Sequence, residues 1–260
     1  MSVVLNEYAW AEKAVADKSL GKKPYETLSR VAKYYTYQGL QKNDVRRKLD
    51  EFLVACDPKA SPVTWGEILD GAAKAASKYP IVIVNAVPVT KPEMEKIDAL
   101  CGTQLRRLAF TLLCLAKFTT MIRPNRDYWV NTPDNEVMKM ANINTSIKRQ
   151  SLLFRQLKDC GFIRFSKQVD NLSVQVLAVE DGETAIQVSD FRNLGYQYMM
   201  FHGGPYYQCV RCGVTEKVKN PDKGRPPKYC QQCAAEVRVE QSVNSVMRQR
   251  RIRREDFLCS

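Results

Sequence analysis

Cys209-Val210-Arg211-Cys212 and Cys230-Gln231-Gln232-Cys233 are the two segments that decide how the end of the chain folds. Seventeen residues separate these CxxC pairs, a spacing typical of four thiolates that bind one Zn²⁺. Gly213 follows the first pair, where a tight turn favours a residue without Cβ strain. The turn-forming sequence Asn220-Pro221-Asp222-Lys223-Gly224 lies between the pairs. We therefore predict a zinc ribbon (knuckle, short hairpin, second knuckle) in which one structural Zn²⁺ is bound by Cys209, Cys212, Cys230 and Cys233.

Two alternatives compete with this metal site: two disulfide bonds, or four buried thiols without a ligand. Residues 1–11 include Glu7 and lack an apolar core, so we expect no signal peptide and a cytoplasmic location, where disulfides do not persist. The segment is also short and polar, and zinc binding worth roughly 10–16 kcal/mol would account for its folding. Because four cysteines fill a tetrahedral coordination sphere, we expect a structural metal rather than a catalytic one.

The net charge of +12 is distributed unevenly over the 260 residues. Residues 1–100 are nearly neutral, with 15 basic and 13 acidic side chains, whereas residues 101–169 carry 12 basic and 4 acidic ones. Residues 170–200 have a net charge of −4, and residues 201–260 a net charge of +6. These two basic blocks indicate a polyanionic partner. No apolar run approaches the ~18 residues of a membrane helix, so we expect no membrane partner.

Residues 1–100 predict a helical domain in which no chemistry is visible. Apolar side chains recur there at helical spacing. Thr64-x-x-Glu67 and Thr90-x-x-Glu93 are capping-box patterns, which are typical of helix starts. Between them, the β-branched run Ile81-Val82-Ile83-Val84 predicts a short strand.

Residues 101–200 predict the order helix, small strand, helix, turn, helix, hairpin. The turn is Asn142-Ile143-Asn144, and the helix after it is predicted from Thr145 to Cys160. Strands over 162–165 and 172–179 would form the hairpin, with Ala185-Ile186-Gln187-Val188 as a third strand. This order is typical of a winged helix, which is a helix-turn-helix with an added β-wing.

The helix predicted over residues 145–160 carries the candidate nucleic-acid contacts. Leu153 and Leu157 mark its packed face, and the basic residues fall largely elsewhere. Arg149 is placed to bind guanine, while Arg164 and Lys167, on or near the wing, would contact the phosphate backbone. The alternatives are a solvated basic face, or a winged helix that binds only proteins. The candidate residues in this block are Asn144, Thr145, Lys148, Arg149, Ser151, Arg155, Arg164 and Lys167.

Residues 201–260 end in a predicted helix that is rich in arginine. Five arginines within seven residues predict a phosphate-binding tail: Arg248, Arg250, Arg251, Arg253 and Arg254. The alternative is a disordered, solvated end or a localisation-like run. Zinc ribbon and tail together would form a second contact to the same polyanion, and two tethered sites raise avidity.

Two segments resemble a family of uncharacterised proteins from bacteriophages and prophages. They are Asn142-Ile143-Asn144-Thr145-Ser146-Ile147-Lys148-Arg149-Gln150-Ser151-Leu152 and Asp190-Phe191-Arg192-Asn193-Leu194-Gly195. The resemblance also includes a helical N-terminal part and a terminal CxxC pair, and it runs over most of the chain. It implies a phage or mobile-element context, hence the cytoplasm of a bacterial host, but no activity. Separately, the middle block resembles winged-helix modules of replication initiators and transcription regulators, an analogy of fold from which function does not follow.

The sequence as a whole predicts an α+β, mostly helical protein that binds DNA and is not an enzyme. A single histidine excludes most histidine-based triads, and neither a carboxylate set for Mg²⁺ nor a glycine-rich phosphate loop is visible. We expect three domains: a helical domain over 1–100, a winged helix-turn-helix over 101–200, and a zinc ribbon with an Arg-rich helix over 201–260. The expected partner is double-stranded DNA, in phage replication or transcription control. Two alternatives stay open: an adaptor that docks host or phage proteins through the same modules, and an RNA-binding protein.

Overall fold

The computed structural model describes residues 3–166, 173–219, 221 and 227–258, with side chains described as far as residue 248. Ten α-helices and seven short strands lie in these ranges, so the protein is α+β and mostly helical, as predicted. The chain divides into two compact units, Met1–Val87 and Pro88–Ser260. Among the described helices, none combines the length and the apolar character that crossing a bilayer requires.

Four helices form the first unit, and its core is made by their apolar faces. They are α1 (Glu7–Ala16), α2 (Pro24–Tyr37), α3 (Lys42–Cys56) and α4 (Gly66–Ala76). Helix α2 is central, because it packs against the other three. Leu28, Leu49, Leu53 and Leu69 are fully buried between these helices. The helical domain predicted without visible chemistry is thus a small bundle around one apolar core.

The strand predicted at residues 81–84 is wrong, because this fully described stretch forms just one isolated antiparallel bridge, between Ile83 and Asn6. The backbone N–H of Glu7 donates to the Val82 carbonyl at 2.8 Å, and that of Val84 donates to the Leu5 carbonyl at 3.0 Å. Residue 7 already begins α1, so the partner segment is too short to extend the ladder.

Six helices and the seven described strands form the second unit, with β1 beginning at the boundary residue Val87. The helices are α5 (Lys91–Asp98), α6 (Thr103–Ile122), α7 (Asp134–Met140), α8 (Ile147–Asp159), α9 (Leu194–Phe201) and α10 (Gln231–Leu258). The strands are β1 (Val87–Thr90), β2 (Trp129–Val130), β3 (Ile163–Phe165), β4 (Val174–Val176), β5 (Thr184–Val188), β6 (Tyr206–Gln208) and β7 (Thr215–Lys217). Helix α6 is the central element: it packs against α5, α7, α8, α9, β2 and β4.

The boundary between the units falls at residue 87, whereas the sequence placed it at residue 100. Helix α5 packs against α6 and β5, and β1 pairs with β5, so these elements belong to the second unit. Residues 101–200 and 201–260 lie together in that unit.

Strands β2, β3 and β4 form an antiparallel sheet in the order β2-β4-β3. Trp129 of β2 and Arg164 of β3 both lie opposite Gln175 of β4. The third strand expected in this hairpin does not join it, because β5 pairs with β1 instead. Both edges of β4 are already occupied, which leaves β5 no place beside it. Helix, strand, helix, turn, helix and hairpin otherwise follow in the predicted order.

Candidate metal centre and nucleic-acid interface

The thiols of Cys209, Cys212, Cys230 and Cys233 form one cluster in which all four Sγ atoms lie within 4.8 Å of one another. Three of these cysteines are buried and Cys212 is partly exposed. The prediction that both CxxC pairs meet at one site is therefore confirmed. Residues 206–234, which include both pairs and the strands beside the first pair, are called the cysteine segment.

Two backbone turns aim the thiols at one point. In the first, the N–H of Gly213 donates to the Cys209 carbonyl and the N–H of Cys209 donates to the Val214 carbonyl, both at 2.9 Å. Gly213 has a φ of +75°, the left-handed conformation in which the turn needs glycine. In the second, the N–H of Cys233 donates to the Cys230 Sγ at 3.5 Å. A bond of 3.0 Å from the Val210 N–H to the Lys228 carbonyl holds the turns together.

The hairpin of the cysteine segment lies in a different place from the one predicted. Strands β6 and β7 are antiparallel, with Gln208 opposite Thr215, so they flank the first CxxC pair instead of following it. A strand before the first pair was missed because Tyr206-Tyr207-Gln208 is short and follows two glycines. Asn220 and Asp222–Gly224 of the predicted turn lie outside the described residues.

The spacing of the thiols fits a metal ion better than a disulfide. The Sγ atoms of Cys212 and Cys230 are 3.7 Å apart, whereas a disulfide requires about 2.0 Å. A tetrahedron of four sulfurs, each ~2.3 Å from a central zinc, has edges of about 3.8 Å. The cluster can thus hold one metal ion, and four thiolate ligands would leave no coordination position for a substrate.

The thiols differ in how readily they lose a proton. Burial raises the pKa of Cys209, but hydrogen bonds with backbone groups of Cys230, Cys212 and Arg211 outweigh burial and lower it to about 6. Burial, followed by hydrogen bonds to neighbouring thiols, raises the pKa of Cys233. Because the thiolate is the form that binds metal, the lowered pKa of Cys209 favours metal binding. The raised pKa of Cys233 means that this thiol would lose its proton only when a cation binds beside it.

Helix α8 exposes the predicted basic residues. Leu153, Phe154 and Leu157 are buried against the rest of the unit. Four cations lie on the exposed side and are called the cationic face of α8: Lys148, Arg149, Arg155 and Lys158. An ion pair links Arg155 to Asp159 at 4.0 Å. The positions suit a surface that meets a polyanion, and the role of these residues stays a prediction.

The helix begins at Ile147, with Ser146 as its N-cap, and not at Thr145 as predicted. The Ser146 Oγ accepts a hydrogen bond from the Arg149 N–H at 3.4 Å, which satisfies one free donor of the first turn. Asn144 is exposed and Thr145 is partly exposed. The hydroxyl of Ser151, although exposed, donates to the Ile147 carbonyl at 3.2 Å.

The outer face of the β2-β4-β3 sheet carries a row of planar side chains. The Arg164 guanidinium lies over the Trp129 ring, 5.9 Å from its centroid. Between them, Gln175 is 4% exposed and donates through Nε2 to the Asp127 carbonyl at 2.8 Å. Trp129 and Gln175 were not predicted, because the cross-strand register that aligns them with Arg164 is not visible in the sequence. Lys167 lies outside the described residues.

The arginines of the predicted tail belong to α10. Arg248 is exposed. The backbone of α10 continues to Leu258 and includes the other four, whose side chains lie outside the described part of the structure: Arg250, Arg251, Arg253 and Arg254. Arg211, inside the first CxxC pair, is paired with Glu240 of α10 at 2.6 Å and contributes less to any cationic surface.

The chain matches no family model, and no curated protein or solved structure is significantly similar to it. The resemblance to bacteriophage and prophage proteins therefore stays a prediction.

Proposed function

We propose that the protein binds double-stranded DNA through a winged helix and carries one structural Zn²⁺ in a zinc ribbon. The winged helix would consist of α6, α7 and α8 with the sheet β2-β4-β3, and the ribbon would be the cysteine segment. In such a unit the second helix of the pair enters the major groove and the hairpin contacts the backbone. We propose a binding protein and not an enzyme.

The observation that carries the DNA proposal is the cationic face of α8. A helix in the groove must bury its apolar side in its own domain and present donors outward, and α8 does both. Lys148 and Arg149 lie in its first turn, the part of a recognition helix that meets base edges. Arg164 on β3 is exposed where a wing would meet phosphates.

The spacing and burial of the four thiols support zinc. Tetrahedral coordination by cysteine alone is typical of structural zinc sites. When bound, zinc would cross-link the two knuckles. The chain itself supplies the four sulfur ligands, the left-handed turn at Gly213 and the bond between Val210 and Lys228.

Salt-dependent binding to duplex DNA tests the proposal. Neutralising phosphates releases counterions, so the logarithm of the binding constant falls with the logarithm of salt by about 0.9 for each phosphate that the protein neutralises. Replacing Lys148 and Arg149 by alanine is expected to weaken binding by ~1–3 kcal/mol for each base contact that is lost. The slope should flatten by about 1 for each of the two side chains that contacts a phosphate. Fluorescence anisotropy at several salt concentrations measures both quantities.

The control removes the same charge from the other unit. Lys74 and Lys78 are exposed on and just after α4, and Lys74→Ala with Lys78→Ala should leave affinity and slope near wild type. If both double variants lose affinity equally, the effect is one of net charge and the assignment of α8 is wrong.

Two observations favour the alternatives. Helix α10 exposes Val239, Val243, Val246 and Met247, apolar side chains that suit a protein partner and hence an adaptor. The stack of Arg164 on Trp129 suits unpaired bases and hence RNA. Titrating the same protein with a duplex DNA, a hairpin RNA and a single strand separates nucleic-acid classes. Salt-insensitive, weak binding to all three would favour the adaptor. The resemblance to bacteriophage proteins supports a phage or mobile-element setting, and within it we propose a role in replication, transcription control or the takeover of a bacterial host.

A further inference from the structure

The two segments that carry the bacteriophage resemblance meet in space, although Asn193 lies 51 positions after Asn142 in the chain. The Asn142 Nδ2 donates to the Asn193 Oδ1 at 2.9 Å. The Asn142 Oδ1 accepts in turn from the Tyr196 N–H at 3.1 Å, in the first turn of α9. Both asparagines have left-handed backbones, with φ of +55° and +56°, a conformation that asparagine tolerates better than most residues. The turn between α7 and α8 is therefore joined to the start of α9.

The same start of α9 is joined to the cysteine segment. The Asn193 Nδ2 donates to the Thr215 carbonyl in β7 at 3.0 Å. Arg192 donates through Nη2 to the Cys212 carbonyl at 2.6 Å, while its Nε donates to Asp190. The Asn193 Oδ1 thus accepts a hydrogen bond from the turn, and its Nδ2 donates one to β7. One amide side chain bridges the helix pair and the cysteine segment.

Packing leaves little room for this junction to shift. At Gly195 an added Cβ would lie 2.0 Å from the Ala141 carbonyl oxygen, so α9 lies directly on the end of α7. Helix α9 also packs against β6, β7 and α6. Ala141 precedes Asn142, and the N-cap of α8 follows at Ser146. The contact therefore lies at the start of the turn that leads into the N-terminal end of α8.

We propose that Arg192 and Asn193 are positioning residues that fix the cysteine segment to the turn before α8, so that metal binding by the thiols orders that turn. The DNA consequence rests on the proposed DNA binding, and the coupling between thiols and turn rests only on the metal proposed for the cysteine segment. Metal bound at the four thiols would hold the carbonyls of Cys212 and Thr215 in place. These carbonyls would then anchor Arg192 and Asn193, and Asn193 would anchor Asn142.

Hydrogen exchange of the full chain, followed by mass spectrometry, tests the coupling without DNA. The zinc-loaded protein is compared with protein treated with a zinc chelator. Removing the metal should accelerate exchange in peptides covering 137–150 by about tenfold, because one net hydrogen bond is worth about that factor. Exchange in α1–α4 should not change. If only residues 206–234 respond to the chelator, the inference is wrong.

The variant that tests the bridge is Asn193→Gly, which keeps the left-handed backbone and removes the amide. Its zinc content should stay at one ion by native mass spectrometry. Its peptides over 137–150 should exchange about tenfold faster with zinc bound and gain little more on chelation. Asn135→Ala on α7 is the control, because the Asn135 side chain accepts only a local bond from the Glu136 N–H in the described structure. Protection over 137–150 equal to wild type in Asn193→Gly overturns the inference.

A second variant guards against misfolding. Arg192→Lys keeps the charge, but an ammonium cannot reproduce the planar fork that links Asp190 to the Cys212 carbonyl. It should show the same loss of protection to a smaller degree; an unchanged turn in Arg192→Lys would remove Arg192 from the proposal.

Duplex binding separates this inference from the proposed function. If wild type binds DNA and Asn193→Gly binds several-fold more weakly with every cation retained, both stand. If exchange is coupled but neither wild type nor any variant binds duplex, the inference stands and the proposed function fails. If wild type binds duplex and Asn193→Gly matches it in exchange and affinity, the inference fails alone.

Discussion

The interactions that stabilise the unit Met1–Val87 differ from those within the cysteine segment. Thirteen buried residues form the core of the first unit, among them Leu28, Leu49 and Leu69. In the cysteine segment the buried cluster is Cys209, Val214, Cys230 and Cys233, so three of its four members are candidate metal ligands. The first unit is stabilised by removal of apolar surface from water. The segment has little apolar surface to remove, and we therefore expect its structure to depend on the metal proposed for the four thiols.

The largest expected effect comes from removing one thiol. Replacing Cys230 by serine should abolish retention of zinc, because oxygen replaces one of four soft ligands and the remaining three leave the site open. The segment would then lose a binding free energy of roughly 10–16 kcal/mol at neutral pH and unfold. Native mass spectrometry measures the zinc, and hydrogen exchange over 206–234 measures the unfolding.

Cys160 provides the matched control, since it is exposed and lies outside the cluster in the same unit. Cys160→Ser should keep one zinc and wild-type exchange. A folded cysteine segment in zinc-free Cys230→Ser would contradict this contrast with the first unit, because apolar contacts would then be sufficient to fold the segment without metal.

An intermediate effect is expected in the core of the first unit. Leu49 is fully buried on α3, and Leu49→Ala should destabilise this unit by ~2–5 kcal/mol through reduced burial and a residual cavity. Urea unfolding followed by circular dichroism measures the destabilisation, and zinc content should be unaffected.

Val54→Ala on the same helix is the control. Val54 is 41% exposed, so its truncation should change the free energy of unfolding by less than ~0.5 kcal/mol. Equal destabilisation by Leu49→Ala and Val54→Ala would show that α3 is not packed as the structure has it.

Features that depend on neighbouring residues were predictable from the sequence. The two CxxC pairs indicated a shared site, and Gly213 indicated the left-handed turn that follows the first pair. The capping box at Thr90 is present, with the Thr90 N–H donating to Glu93 at 2.8 Å. The turn at Gly213 and the capping box are each formed within a few residues, where geometry leaves few choices. The two CxxC pairs lie seventeen residues apart, and their meeting was predicted from the four ligands that one zinc ion requires.

Features that depend on distant partners were not predictable. A second capping box was expected at Thr64, but α4 begins at Gly66 with Trp65 as its N-cap, because the local pattern does not show how the preceding turn packs. Strand β5 pairs with β1 and not with the hairpin, a choice made by tertiary packing. The bridge from Asn142 through Asn193 to Thr215 has no signal in spacing. The one relevant property of the sequence is that Asn142 and Asn193 are both asparagine, a residue that tolerates a left-handed backbone.

The smallest expected effects come from two glycines in helices, and they have opposite signs. Gly71 lies inside α4 with nothing within 4 Å of an added Cβ, so Gly71→Ala should stabilise the first unit by ~0.5–1 kcal/mol. Gly195 also lies in a helix, where alanine is intrinsically favoured, but its Cβ would meet the Ala141 carbonyl at 2.0 Å. Gly195→Ala should therefore destabilise the second unit by ~1–3 kcal/mol, the usual range for overpacking.

Thermal unfolding of both glycine variants, with each unit followed by hydrogen exchange, measures these signs. Because helix propensity favours alanine over glycine in both helices, a destabilising Gly195→Ala beside a stabilising Gly71→Ala would report the packing at Gly195. A stabilising Gly195→Ala would mean that α9 does not rest on the end of α7. In that case the packing of α9 would not connect the cysteine segment to the turn before α8. The cysteine segment would then differ from the first unit only in its expected dependence on metal, and not in its packing against neighbouring elements.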